Sequence, residues 1–243
     1  MSKKSETKLT KYRLLRASSA LAKRLPRTRS FSRHGFYQYA RRYRKVIAKP
    51  ISGSGGAGVI LISRTGSDRY LVHRGPHKRK FRGKRESYRY LRSKISRRYL
   101  LQRGISLARV GGRPFDVRVM VQRQGGSDWH VTGMLAKVAG RGYIITNVKR
   151  SGGYVLPLAS ALARSNMRGS SPAAVIGRLR QVALAAARRL SAYYTSQRVF
   201  GLDMGIDKDG KVWIIEANLR PDISLFSKLK DKSMYRRILS YRR

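Results

Sequence analysis

Asp203, Glu216 and Asn218 carry hard oxygen donors and lie on two predicted strands, FGLDMGID and VWIIEANL, joined by the turn KDGK. A four-residue loop over Lys208–Lys211 pairs Asp207 with Val212, and that register sets Asp203 directly across from Glu216. Asn218, two residues on, shares their face, while Leu202, Met204, Ile206, Trp213, Ile215 and Ala217 form the opposite, core side. Two carboxylates facing each other repel unless a cation lies between them. Two carboxylates and an amide oxygen suit Mg²⁺, which keeps room for water and phosphate. The alternative is that Asp203 and Glu216 pair with Arg side chains. Asp207 and Asp209 read as turn residues, since Asp-Gly is ordinary hairpin chemistry.

A second set of residues points to phosphate. Lys49 ends a predicted strand, and SGSGGAG (Ser52 to Gly58) follows it directly, with Gly53, Gly55, Gly56 and Gly58 in the turn. Gly53, Gly55 and Gly58 satisfy G-x-G-x-x-G, but a dinucleotide fingerprint needs a helix next, and VILIS (Val59 to Ser63) reads as strand. No Gly-Lys-Ser/Thr occurs, so a P-loop is excluded. What remains is a glycine-rich turn between antiparallel strands. Its bare N–H groups can cover phosphates that Lys49 also reaches, or the turn can be purely structural.

The elements that must position these residues follow from pattern. Leu14, Leu15, Leu21 and Leu25 recur at near-helical spacing in a segment that ends near Pro26. Arg44–Pro50, Val59–Ser63 and Arg69–Arg74 read as strands, Lys84–Tyr99 as a helix with Tyr88, Leu91, Ile95 and Tyr99 on one face, and YLLQRGI as a short strand. Phe115–Arg123 alternates Val117, Val119 and Val121 with Asp116, Arg118 and Gln122, turns at QGGSD and returns as WHVTGMLAKV. Ser171 and Pro172 open a helix whose stripe is Val175, Leu179, Val182, Ala186, Leu190 and Tyr193. The chain is α+β with antiparallel sheets.

Composition narrows the chemistry. In 243 residues, 56 Lys and Arg against 11 Asp and Glu give a net charge of +45, and 38 of the 56 are Arg. Five of the eleven acids fall between Val199 and Asp222, a net-negative island in a basic chain. The charge calls for a polyanionic neighbour, whether nucleic acid, polyphosphate or acidic protein. With no cysteine, disulfides, thiolate metal sites and Cys nucleophiles are excluded, and the four His form no ligand spacing. An apolar content of 41% is enough for a sizeable core. MSKKSETK has no apolar stretch behind it, so no signal peptide and no membrane span are expected, and the expected location is cytoplasmic.

TKYRLL (Thr10 to Leu15), LPRT (Leu25 to Thr28), VIAKPISGSGGAGVI (Val46 to Ile60), GRPFDVRVMVQ (Gly112 to Gln122), VTGMLAKVAGRGYIITN (Val131 to Asn147) and GLDMGIDKDGKVWIIEANLRP (Gly201 to Pro221) occur in this order. The ordered set resembles the ATP-grasp superfamily, in its endospore-coat-associated YheC/YheD-like branch. The resemblance implies an ATP-grasp fold of two α+β subdomains enclosing a nucleotide. A basic helical segment is expected over residues 1–45, a small subdomain with the glycine-rich hairpin over 46–105, and a large one with the metal-binding hairpin over 106–243.

By the same resemblance Lys49 touches the ATP phosphates, with Lys8 as a second lysine, and Gly53, Gly55, Gly56 and Gly58 cover them. The strand around Gln102 and Gly104 forms the adenine hinge, and Arg118 faces the γ-phosphate or the developing acyl phosphate. Lys137, Arg141 and Asn147 face phosphate and acceptor, and Asp203, Glu216 and Asn218 hold Mg²⁺. The implied activity is ATP-dependent carboxylate–amine ligation of an unidentified carboxylate, with spore association; the other readings are a catalytically reduced scaffold or a basic nucleic-acid-binding protein. The resemblance also places a substrate-binding domain ahead of Leu9–Leu25, for which these 243 residues leave no room.

Overall fold

The computed structural model describes residues 4–53, 55–95 and 98–242; Ser54 of the glycine turn and Ser96–Arg97 of the predicted helix lie outside them. The chain runs α1 (Lys8–Arg16), α2 (Ser19–Ala22), β1 (Thr28–Ser30), α3 (Arg33–Arg42), β2 (Lys45–Pro50), β3 (Ile60–Arg64), β4 (Arg69–Arg74), β5 (His77–Arg82), α4 (Lys84–Ser93) and β6 (Tyr99–Arg103). It continues with β7 (Arg109–Val110), β8 (Arg113–Gln122), β9 (His130–Val138), α5 (Val148–Ser151), β10 (Tyr154–Pro157), α6 (Leu158–Ala163), α7 (Pro172–Ser191), β11 (Val199–Ile206), β12 (Val212–Asn218) and α8 (Ser233–Ser240).

Two six-stranded antiparallel sheets result. The first has the order β1-β6-β2-β3-β4-β5, and the second β10-β9-β8-β11-β12 with β7 beside β8. Alternation along β2 and β3 sends Val46, Ala48, Ile60 and Ile62 into a cluster under α3 and α4, built on Phe36, Ala40 and Leu91. Ile47, Lys49 and Leu61 are left on the face toward the second sheet. There, Val117, Val119, Val121, Leu202, Met204 and Ile206 pack against α7, whose buried stripe is Val175, Leu179, Val182, Ala183, Ala186, Ala187 and Leu190. The stripe leaves the helix at Ser191, so Tyr194 rather than Tyr193 is the buried aromatic. Ser171 caps α7 by accepting from the Ala174 N–H, with Pro172 behind it.

The opposite side of β8 and β9 is buried as well. Met120 and Leu135 lie under Phe226, Leu229 and Ile238, and Gln122 donates to the Ile238 carbonyl at 3.1 Å. The predicted polar face of β8 is thus half cleft and half second core.

Three expectations need correction. The helix at Lys84 stops at Ser93 instead of reaching Tyr99, where the chain is already in β6. α3 and β5 escaped notice because a high density of Arg and Lys hid their periodicity. The third concerns the β11–β12 hairpin. Its loop is longer by one residue, for Ile206, not Asp207, pairs with Val212. A β-bulge between Asp203 and Met204 then leaves Ile215 unpaired and restores Asp203 opposite Glu216. The carboxylates face each other as expected, by a different route. In consequence Ile214 takes the core position and Ile215 lines the cleft. Trp213 lies outside that core, with Arg103 and Lys211 over its ring at 5.2 and 4.3 Å and its Nε1 donating to Asp207 Oδ2 at 2.9 Å.

Among the described residues, no helix is long and apolar enough to cross a membrane.

Candidate functional site

A cleft of about 600 Å³ lies between the two sheets. Its wall combines apolar side chains, Ile47, Val59, Leu61, Ile105, Leu107 and Ile215, with charged and polar ones, Lys49, Arg118, Lys137, Asp203, Glu216 and Asn218. A cleft whose wall is both apolar and cationic suits a ligand with a flat apolar body and an anionic tail.

The charged group is assembled from adjacent strands. β11 lies beside β8 with Asp203 opposite Arg118, so the guanidinium reaches the carboxylate with Nε to Oδ1 at 2.9 Å and Nη2 to Oδ2 at 3.3 Å. Lys137 of β9 donates to Asp203 Oδ1 at 2.7 Å and sits 3.2 Å from Asp116. Asp116 also accepts from the Thr146 hydroxyl at 2.5 Å. Burial alone would raise the Asp203 pKa, but Arg118 and Lys137 outweigh it and hold this carboxyl well below the usual carboxylate range. Asp116 is raised, because its burial outweighs Lys137.

Lys49, at the end of β2, is fully enclosed. Its Nζ donates to Gln102 Oε1 at 2.9 Å and to the carbonyl of the bulged Ile215 at 3.3 Å. Burial lowers its pKa to about 8, against the opposing pull of Glu216. Glu216 itself is 3.5 Å from Lys8 of α1, which also donates to the Gly53 carbonyl. Asn218 Nδ2 lies 3.4 Å from Asp203 Oδ2.

The predicted residues are therefore gathered with some reassignment. Lys49, Gly55, Gly56, Gln102, Arg118, Lys137, Asn147, Asp203, Glu216 and Asn218 all line the cleft. Gly53, Gly58, Gly104, Lys8 and Arg141 are not on its wall. Gly58 has φ +73°, and a Cβ there would stand 2.6 Å from the Tyr99 hydroxyl, so its glycine shapes the hairpin. Gly104 lies against β2, where a Cβ would come within 2.6 Å of the Lys45 Cβ. Gln102 turns its amide to Lys49 and, at 2.8 Å, to Thr28. Asn147 caps α5 by accepting from the Arg150 N–H. The cleft also includes Lys45, Arg103, Arg109, Lys149 and Arg220, which no motif singled out among so many basic residues.

The donor set constrains any metal. Among the described residues, no group of three or more His, Cys, Asp or Glu could hold one. Glu216 and Asn218 share a face with Asp203, so the set is two carboxylates and an amide, with Asp203 already ion-paired. That fits Mg²⁺, which uses one or two carboxylates together with substrate phosphates instead of an all-protein cage.

A family model described as "YheC/D like ATP-grasp" matches residues 1–242. The chain is 30% identical over 191 residues to the endospore coat-associated protein YheD of Bacillus subtilis (strain 168), covering 76% of this chain and 41% of that protein. It is 24% identical over 223 residues to the endospore coat-associated protein YheC of the same strain, covering 85% and 57%. The chain thus spans only about half the length of these relatives. Among solved structures, it is similar to N5-carboxyaminoimidazole ribonucleotide synthetase from Thermotoga maritima, with TM-score 0.52 and 13% identity over 98% of this chain and 48% of that one. It is also similar to the ATP-grasp ligase PsnB complexed with minimal precursor, Mg and ADP, with TM-score 0.53 and 14% identity over 98% and 59%. At such identities the likeness is one of fold.

Proposed function

The chain belongs to the YheC/D-like ATP-grasp family, and from that premise we propose that it binds Mg-ATP in the cleft and uses it to join a carboxylate to an amine. The observation that carries this reading is the convergence of Lys49, Arg118, Lys137, Asp203, Glu216 and Asn218 in one cleft that Ile47, Leu61 and Ile215 also line. Ile47, Leu61 and Ile215 would take the adenine, and Lys49, Gly55 and Gly56 would take the phosphates. Glu216 and Asn218, with Asp203, hold Mg²⁺, which when bound neutralises phosphate charge.

Arg118 and Lys137 are pre-positioned by Asp203 and Asp116, so they meet developing negative charge without reorganising. Transfer of the γ-phosphoryl group to a carboxylate releases ADP and forms an acyl phosphate, and attack by an amine then forms the amide and expels inorganic phosphate. Such a reaction needs positioning and charge neutralisation, not a covalent nucleophile, and the chain has no Cys to supply one. The net charge of +45 supports a polyanionic partner, and the names of the two Bacillus relatives support association with the spore coat.

Calorimetry of ATP at about 0.3 M salt, which shortens the Debye length below the roughly 8 Å of physiological conditions, tests the site free of nonspecific attraction. Binding should be saturable and Mg-dependent, and Glu216→Gln should lose the Mg dependence while remaining folded. Unchanged affinity in that variant removes Glu216 from the metal site. Weak binding indifferent to Mg²⁺ in the native chain makes the protein a reduced scaffold.

A further inference from the structure

β5 closes one edge of the first sheet and pairs only with β4. Its sequence, HKRKFR, leaves every residue exposed except half-buried Phe81. Register with β4 puts Lys78 beside His73, Lys80 beside Leu71 and Arg82 beside Arg69, all on the side that carries the cleft. His77, Arg79 and Phe81 alternate to the helix-covered side, where the Arg79 guanidinium lies over Phe81 at 5.4 Å and Tyr90 at 5.2 Å. From His77 to Lys94 there are nine Lys and Arg and one acid, Glu86. Among the described residues, none of these charges is in an ion pair.

An edge strand presents half its backbone N–H and C=O groups to solvent, and one lysine there usually suffices to discourage pairing with other chains. β5 goes further, being basic on both faces. A second copy is repelled, since like charges would stand opposite each other. An acidic strand meets the reverse situation. Its backbone completes the open ladder, and carboxylates at two-residue spacing, about 6.8 Å, fall beside Lys78, Lys80 and Arg82.

We propose that β5 is the docking edge for an extended acidic segment of a partner protein, which adds to the first sheet as a seventh strand. Nucleic acid is the less suitable occupant, because a phosphate backbone would engage the side chains of one face and leave the open main-chain ladder unpaired.

The probe is a fluorescent peptide of about ten residues, the length of a long strand, alternating Glu with Val and Thr. It is titrated by anisotropy at about 0.3 M salt, where exposed charges more than a few ångströms apart are screened. Binding should slow hydrogen exchange at the amides of residues 77–82. N-methylation of alternate peptide residues should weaken it about tenfold or more, as should the combined Lys78→Glu, Lys80→Glu and Arg82→Glu variant, in which three attractive cross-strand pairs become repulsive. ATP affinity in that variant should match the native chain, showing that it is folded. Equal affinity for the N-methylated peptide, or unchanged exchange at β5, overturns strand addition. Displacement of the peptide from β5 by a DNA duplex of equal charge overturns the acidic-protein assignment in favour of nucleic acid.

Discussion

Lys49 is enclosed by Gln102, Ile215 and the neighbouring Glu216, and its pKa of about 8 against an ordinary 10.5 has two consequences. Between those pH values the unfolded chain keeps the proton and the folded chain loses it, so this group's contribution to stability rises with pH across that window. Phosphate favours the charged form, so nucleotide binding should draw the proton back and weaken as pH climbs above 8. Calorimetry at pH 8.5 in two buffers of different ionisation enthalpy should register uptake of about three-quarters of a proton. Lys49→Arg, permanently charged, should register none. The identity of such residues was legible from sequence, because Asp-x-Arg and Glu-x-Asn at a two-residue period fix a shared face whatever the fold around them. Their partners were not. Nothing in the order of residues says that Gln102 turns to Lys49 and Thr28, or that Lys137 bridges Asp116 and Asp203, since those contacts cross 53 to 74 residues and 21 to 66 residues.

Elements decide which of these side chains meet. The bulge in β12 is the critical one, because a shift of a single residue flips a strand's faces. Deleting Ile215 should remove the bulge and leave a regular ladder, with Ile214 still opposite Met204 and Glu216 still opposite Asp203, while the carbonyl to which Lys49 donates is lost. ATP binding should weaken through the looser Lys49 yet keep its Mg dependence; loss of the Mg dependence on calorimetry would mean that the bulge itself aligns the carboxylates. Gly58→Ala probes the other hairpin. Its positive φ and the close Tyr99 hydroxyl should cost about 1–3 kcal/mol, read as a lowered thermal midpoint. Helices and strands with clean apolar periodicity, such as α7 and β8, were legible at this scale. The bulge was not, because an inserted residue leaves alternation intact on either side, and two compensating errors gave the right pairing of carboxylates.

At the scale of the whole molecule, charge is concentrated by subtraction. Of the six ion pairs among the described residues, four converge on the cleft: Lys8–Glu216, Arg118–Asp203, and Lys137 with both Asp116 and Asp203. Those four pairs use three of the eleven acids, Asp116, Asp203 and Glu216, and most of the +45 stays unpaired on the surface. Thermal stability should therefore rise with added salt, as screening shortens from about 10 Å at 0.1 M to about 3 Å at 1 M. A flat or falling midpoint would mean that self-repulsion is negligible. The composition announced this charge, but only the fold shows that its buried ion pairs gather at one site. The same fold ties the two ends of the chain together. Tyr12, Leu15, Leu21 and Leu25 belong to the cluster of the second sheet, and Ile214 of β12 donates to the Arg24 carbonyl at 2.8 Å. Contacts so distant in sequence impose an order of events. Leu9–Leu25 docks on α7 and β12, so its packing waits for residues 172–214, a delay of about 7 to 40 seconds at ordinary rates of synthesis. During that interval a stretch of basic, leucine-bearing chain waits undocked, and the assembly of the cleft is timed by the last strand to be made.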